Sequence, residues 1–154
     1  MTTDLQLKGK TLKSIKVLKN AELENDTIYF LTTDDELYEM THYQDCCEHV
    51  YIDDIVGDLD DLIGNPLNMA EVSYKTGEDE YYESETWTFY KFGTVKGYVT
   101  IKWYGTSNGY YSEEASLTQI FDEPADDDWV YDYEDNYETQ YKHIITKYFN
   151  ENEA

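Results

Sequence analysis

The sequence predicts an α+β fold, mainly antiparallel sheet built from a meander and hairpins, with one packed helix and an acidic, aromatic C-terminal helix. Three observations predict it. Apolar residues alternate with polar ones in several short runs, which is the period of a half-buried strand. Turn residues sit between those runs at close intervals. In two places the apolar spacing changes to threes and fours, which is the period of a helix face.

Along the chain, residues 11–19 alternate, with Leu12, Ile15 and Val17 against Lys13, Ser14 and Lys16, and read as a strand. Asn25-Asp26 is a turn signal. Residues 27–33 (TIYFLTT) are β-branched and aromatic, hence strand. Asp34-Asp35-Glu36 turns the chain tightly, and Leu37, Tyr38, Met40 and His42 return it. Residues 11–42 therefore read as a three-stranded meander. Residues 50–52 read as a short strand. From Ile52 the apolar positions Ile52, Ile55, Val56, Leu59, Leu62 and Ile63 fall on one helical face, with Asp53, Asp54, Asp58, Asp60 and Asp61 on the other. Gly64-Asn65-Pro66 stops that helix, and Gly57 inside it costs about 1 kcal/mol. Residues 67–74 read as strand and 75–85 as a polar loop. Residues 86–92 (TWTFYKF) and 98–104 (YVTIKWY) alternate across a short glycine-bearing link, a hairpin signal. Residues 105–109 (GTSNG) turn again, and 110–117 pair back, so that everything up to about residue 121 forms one sheet with one packed helix.

Composition changes at Pro124. Trp129, Tyr133, Tyr137, Tyr141, Ile145 and Tyr148 recur at spacings of four and three, and Asp126, Asp127 and Asp128 suit a helix start. A helix over about 126–149 is expected, its stripe docked on the sheet or on a second chain. The organisation is thus a domain over 1–121 and an acidic, Tyr-rich helical extension over 122–154.

The chain has 154 residues, with 34 acids against 11 bases, all of them lysine, for a net charge of −23. Seventeen tyrosines, three tryptophans and five phenylalanines supply the apolar area that disordered acidic chains lack. Such a charge excludes direct binding of nucleic acid, whose phosphates need basic side chains, and it is repelled by anionic membranes. No apolar run is long enough for a membrane span. The charge is blocked: residues 20–74 hold fifteen acids and 103–141 eleven, neither with a base, while residues 1–19 are net positive. Blocks of one sign steer oppositely charged partners. The competing reading is a solvated acidic surface that aids solubility. Cys46 and Cys47 are adjacent, so no loop-closing disulfide framework is expected, and the whole reads as a soluble protein of a reducing cytoplasm.

The run HYQDCCEHVYIDDIVGDLDDLIGNPLNMAE, from His42, followed by WTFYKFGTVKGYVTIKWYGTSNGYYSE, from Trp87, resembles a family of small proteins encoded by bacteriophages and prophages. That family carries a domain of unknown function. The resemblance covers roughly residues 8–118. It implies phage origin and action in a bacterial host cytoplasm, and it implies no activity.

Two clusters are weighed for chemistry. His42, Asp45, Cys46, Cys47, Glu48 and His49 place sulfur, nitrogen and oxygen donors within eight residues, which makes His42, Cys46, Cys47 and Glu48 metal candidates. The competing reading is a pair of small buried cysteines at a strand start. Asp53, Asp54, Asp58, Asp60 and Asp61 lack the order of a calcium loop. No nucleophile stands with a base, and neither a phosphate loop nor a dinucleotide fingerprint is present, so no enzyme activity, cofactor or metal is assigned.

The remaining candidate is geometric. Asp126, Asp127, Asp128, Asp132, Glu134, Asp135 and Glu138 put seven charges on thirteen residues, about 20 Å of helix. That is one per roughly 2.8 Å, against one per roughly 1.7 Å of duplex axis. With Trp129, Tyr131 and Tyr133 as anchors and Asp53, Asp54, Asp58, Asp60 and Asp61 as a second acidic face, the expected function is a phage-encoded DNA mimic. Its partner is a basic nucleic-acid-binding host protein, such as a CRISPR effector nuclease or a restriction enzyme, and in a Cas9-type target the channel that reads the short DNA motif with arginines fits best. The alternative is a small metal- or ligand-binding domain centred on His42, Cys46 and Cys47. A homodimer through the aromatic helix is the structural alternative.

Overall fold

The structure, a computed structural model of the chain, describes residues 2–19, 25–78, 84–123 and 138–150. Nine strands follow in order: β1 Thr2–Asp4, β2 Leu12–Leu18, β3 Thr27–Thr32, β4 Leu37–Thr41, β5 His49–Val56, β6 Met69–Gly77, β7 Ser84–Thr94, β8 Gly97–Ser107 and β9 Ser116–Ile120. A 3-10 turn, Leu59–Leu62, lies between β5 and β6, and helix α1, Gln140–Tyr148, closes the described chain. The architecture is α+β and mainly β, with two antiparallel sheets rather than the one expected. The five-stranded sheet runs β1-β6-β7-β8-β5 and the four-stranded sheet β2-β3-β4-β9.

Strand alternation sets the layers. Val50 and Ile52 of β5, Ala70 and Val72 of β6, Tyr90 and Phe92 of β7, and Val99, Ile101 and Trp103 of β8 face one way. They meet Ile28 and Phe30 of β3 and Tyr38 and Met40 of β4, and this interface is the main core. Phe30 and Phe92 pack across it with ring centroids 5.4 Å apart, and the Trp103 indole N–H reaches the Met40 sulfur at 3.3 Å. A second apolar layer lies on the outer face of the four-stranded sheet. There Tyr29, Leu31 and Leu37 meet Ile144 of α1, flanked by Tyr141, Ile145, Tyr148 and Phe149. The Tyr29 and Tyr148 rings stack at 5.5 Å. Both faces of β3 are therefore covered, which is why the run TIYFLT is buried at every residue.

The meander stands as expected, with Asp35 at a positive φ in the β3–β4 turn. The β7–β8 hairpin also stands, its strands longer than the sequence indicated. Three expectations are corrected. Residues 52–63 do not form a helix. Ile52 and Ile55 both point inward because the register of β5 against β8 shifts between Ile52 and Asp54, so a bulge produces a three-residue apolar spacing inside a strand. Gly57 then breaks the strand at φ +109°, where a Cβ would collide with the Tyr98 carbonyl oxygen. Residues 110–117 do not pair back on β8; the chain crosses to the other sheet, where β9 pairs with β4. Finally, a helix continuous over 126–149 is not formed. The backbone at Thr139 is extended, and its side chain caps α1 by accepting from the Lys142 amide at 3.1 Å. No helix among the described residues is long and apolar enough to cross a membrane.

Candidate functional site

The acids expected on a helix stand instead along the edge of the five-stranded sheet and the turn that follows it. In β5, alternation sends Val50 and Ile52 inward and leaves His49 and Tyr51 exposed. Asp53 sits at the bulge, and Asp54 lies opposite Lys102. After Gly57, Asp58 caps the 3-10 turn, its carboxylate accepting from the Asp60 amide at 2.9 Å. Asp60 and Asp61 occupy the first turn, and the Asp61 amide donates to the Asp58 carbonyl at 3.0 Å. The acidic turn is fixed to the hairpin: the Thr94 hydroxyl donates to the Asp61 carbonyl at 2.5 Å, and the Asp61 side chain lies over Gly97.

Asp53 is neutralised by Lys102 at 3.3 Å. Among the described residues, Asp54, Asp58, Asp60 and Asp61 have no lysine within 4.0 Å; the other lysine–carboxylate pairs join Lys8 to Asp4, Lys10 to Glu36 and Lys13 to Asp35. Tyr51, Val56 and Tyr98 stand 42%, 58% and 64% exposed beside these acids. The arrangement is an acidic edge with apolar contacts among the charges. Sequence reasoning did not single out Tyr51 or Tyr98, and it placed Val56 on the packed face of the expected helix, where the structure leaves it exposed; strand alternation through β5 is the signal that finds Tyr51.

Asp126, Asp127, Asp128, Trp129, Tyr131, Asp132, Tyr133, Glu134 and Asp135 lie outside the described residues. Glu138 is described. It precedes the α1 cap and lies 3.5 Å from His143 Nδ1, so it is not part of a helical acidic stripe. Beside it the Thr139 hydroxyl donates to Asp122 at 2.6 Å.

The HYQDCCE segment links β4 to β5. His42 and Glu48 are buried and 2.9 Å apart, and the other ring nitrogen of His42 lies 2.8 Å from the Glu114 carbonyl. Both ring nitrogens thus face oxygen atoms, which fixes the ring between the HYQDCCE loop and residue 114. Glu48 also accepts from the amides of Cys46 at 2.8 Å and Asp45 at 3.0 Å and from the Gln44 side chain at 3.2 Å. Burial pushes the Glu48 carboxyl up, but the Cys46 amide, its own amide, the His42 ring and the Asp45 amide outweigh this and hold it at about 2.

Cys46 and Cys47 are bonded to each other, and both are exposed rather than buried as the structural reading of the pair expected. Among the described residues, no group of three or more His, Cys, Asp or Glu side chains is arranged to hold a metal ion.

The same knot holds the crossover between the sheets. Glu113, unremarkable in the sequence, is buried and accepts from Thr86 at 2.8 Å, Ser84 at 3.0 Å and Ser107. The Tyr90 hydroxyl donates to the Ala115 carbonyl at 2.6 Å. Residues 113–115 are thus held from β7, β8 and the His42 ring.

The family model described as "Domain of unknown function (DUF7448)" matches residues 5–117, and the chain belongs to that family. The matched span contains the acidic edge and the His42–Glu48 loop; α1 lies beyond it. No curated protein and no solved structure matches the chain.

Proposed function

We propose that this member of the DUF7448 family is a phage-encoded acidic inhibitor. It occupies the DNA-binding groove of a basic host protein, a defence nuclease of the CRISPR or restriction type, in the bacterial cytoplasm. The observation that carries the reading is the acidic edge. Five aspartates lie between residues 53 and 61, exposed or half-exposed, and one of them is paired with a lysine. Eight peptide steps span at most about 29 Å. The four without a lysine give one charge per roughly 7 Å over that length, about half the density of one DNA strand, which carries one phosphate per roughly 3.4 Å. Tyr51, Val56 and Tyr98 add contact area that charge alone does not supply. The seven acids over 126–138 enlarge the field that steers a basic partner.

The test mixes purified protein with candidate nucleases and follows duplex DNA binding by mobility shift. The inhibitor displaces DNA at low salt. Replacing Asp53, Asp54, Asp58 and Asp60 with asparagine weakens the displacement at least about tenfold. A parallel variant neutralising Asp126, Asp127, Asp128 and Asp132 separates the two acidic blocks. Inhibition unchanged in both variants means that neither is the binding surface.

A further inference from the structure

Each sheet ends in two edge strands. β1 carries Asp4, β5 carries Asp53 and Asp54, and β9 (SLTQI) carries no charge. Only β2 (LKSIKVL) brings several lysines to its edge: Lys13 and Lys16 lie within it, and Lys19 follows it directly. β2 pairs with β3 on one side. On the other, its start is engaged: Leu12 bridges Ile63, and Gly64 N donates to the Leu12 carbonyl at 2.9 Å. From Lys13 onward no described strand pairs with that second side.

A hollow flanks each face of this edge. Ile15 lies opposite Phe30, on the core side, and with Leu59, Asp60 and Ile63 it lines a hollow of about 330 Å³. Ser14 lies opposite Leu31, on the helix side. With Tyr141, Ile145 and Phe149 these two residues line a hollow of about 600 Å³. Successive residues of an added strand point to opposite faces, so neighbours in it would enter one hollow and then the other. Farther along the edge, Lys16 and Lys19 are exposed, with no carboxylate within 4.0 Å among the described residues. Lysine on an edge strand deters pairing with ordinary strands; the same charges select an acidic one.

We propose that β2 is a docking edge for an extended acidic segment of a partner protein, which joins the four-stranded sheet as its fifth strand. Apolar residues of that segment settle in the two hollows beside Ser14 and Ile15, and its carboxylates lie against Lys16 and Lys19. Main-chain hydrogen bonds supply affinity, and the hollows and lysines supply selectivity. This surface adjoins the acidic edge at Asp60, which lines the core-side hollow, and differs from it in sign: it takes an acidic segment against Lys16 and Lys19 where that edge takes a basic partner.

The test uses the full chain and a fluorescein-labelled heptapeptide of valine, phenylalanine and threonine ending in three glutamates, beside the same peptide ending in three lysines. Anisotropy is expected to show saturable binding of the glutamate peptide, and a lysine peptide held by the acidic edge is expected to leave β2 exchange unchanged. Hydrogen exchange is expected to show slowed β2 amides when that peptide is bound. K16E/K19E weakens the glutamate peptide at least about tenfold and favours the lysine peptide, while K16R/K19R, which keeps the charges, binds like the parent. Absence of binding, or binding that leaves β2 exchange unchanged, overturns the proposal. So does self-association by light scattering with β2 already protected, which assigns the edge to a second copy of the chain.

Discussion

Glu48 and Gly57 are the residues on which local structure turns. Glu48 collects amide and imidazole donors in a buried position, and its carboxyl is held at about 2, below the ordinary carboxylate range. The unfolded chain therefore binds more protons than the folded one between about pH 4.5 and pH 2. The stabilisation is fully present above about pH 4.5 and is lost as pH falls through that window. Urea unfolding at a series of pH values is expected to show this fall, and Glu48→Ala is expected to flatten it. At pH 7 that substitution removes the buried acceptor shared by the His42 ring and the Asp45 and Cys46 amides, and a loss of about 2 kcal/mol or more is expected. Gly57 answers to a different constraint. At φ +109° and against the Tyr98 carbonyl, Gly57→Ala is expected to cost about 2 kcal/mol, read from the shift of the urea midpoint. A glycine in an apolar pattern reads as a weak helix residue in sequence; only the approach of the β7–β8 turn gives it its reason.

Among the elements, α1 is held by one cap and one apolar face. Thr139→Ala removes the acceptor for the Lys142 amide and is expected to cost about 1 kcal/mol. Ile144→Ala opens the layer over Leu31 and Leu37 and is expected to cost about 2–4 kcal/mol. Thermal melts followed by near-ultraviolet dichroism check both, because Tyr29 and Tyr148 stack in that layer. The meander and the β7–β8 hairpin were legible in the sequence because each strand there keeps an unbroken period of two between turn residues. β5 was not. Its bulge imitates a helical spacing, and its acids, all on one side of that imagined helix, reinforced the imitation. The crossing of β9 to the second sheet has no local signal either. It is fixed by Glu113, which accepts from Ser84, Thr86 and Ser107 across the fold, and by the Tyr90 hydroxyl on Ala115. The acidic edge was legible as a set of residues but not as a surface: Tyr51 and Tyr98 emerge only from the strand register, and Val56, which a helical period assigns to the packed face, is exposed once that stretch is a bulged strand.

Over the whole molecule the governing quantity is a net charge of −23, with few of the described carboxylates paired to lysine. Self-repulsion of that size opposes the compact state. Raising salt from about 50 to about 300 mM shortens the screening length, so the melting temperature of the free protein is expected to rise, as differential scanning calorimetry can read. The same salt is expected to weaken a complex with a basic partner, so stability and binding move in opposite directions along one axis. The most direct measurement of the central claim is displacement of duplex DNA from a basic nucleic-acid enzyme at those two salt concentrations, by the parent protein and by D53N/D54N/D58N/D60N. The account predicts displacement by the parent at low salt, at least about tenfold weaker at high salt, and a comparable loss in the variant at low salt. Displacement that is indifferent to salt and unchanged in the variant would contradict it.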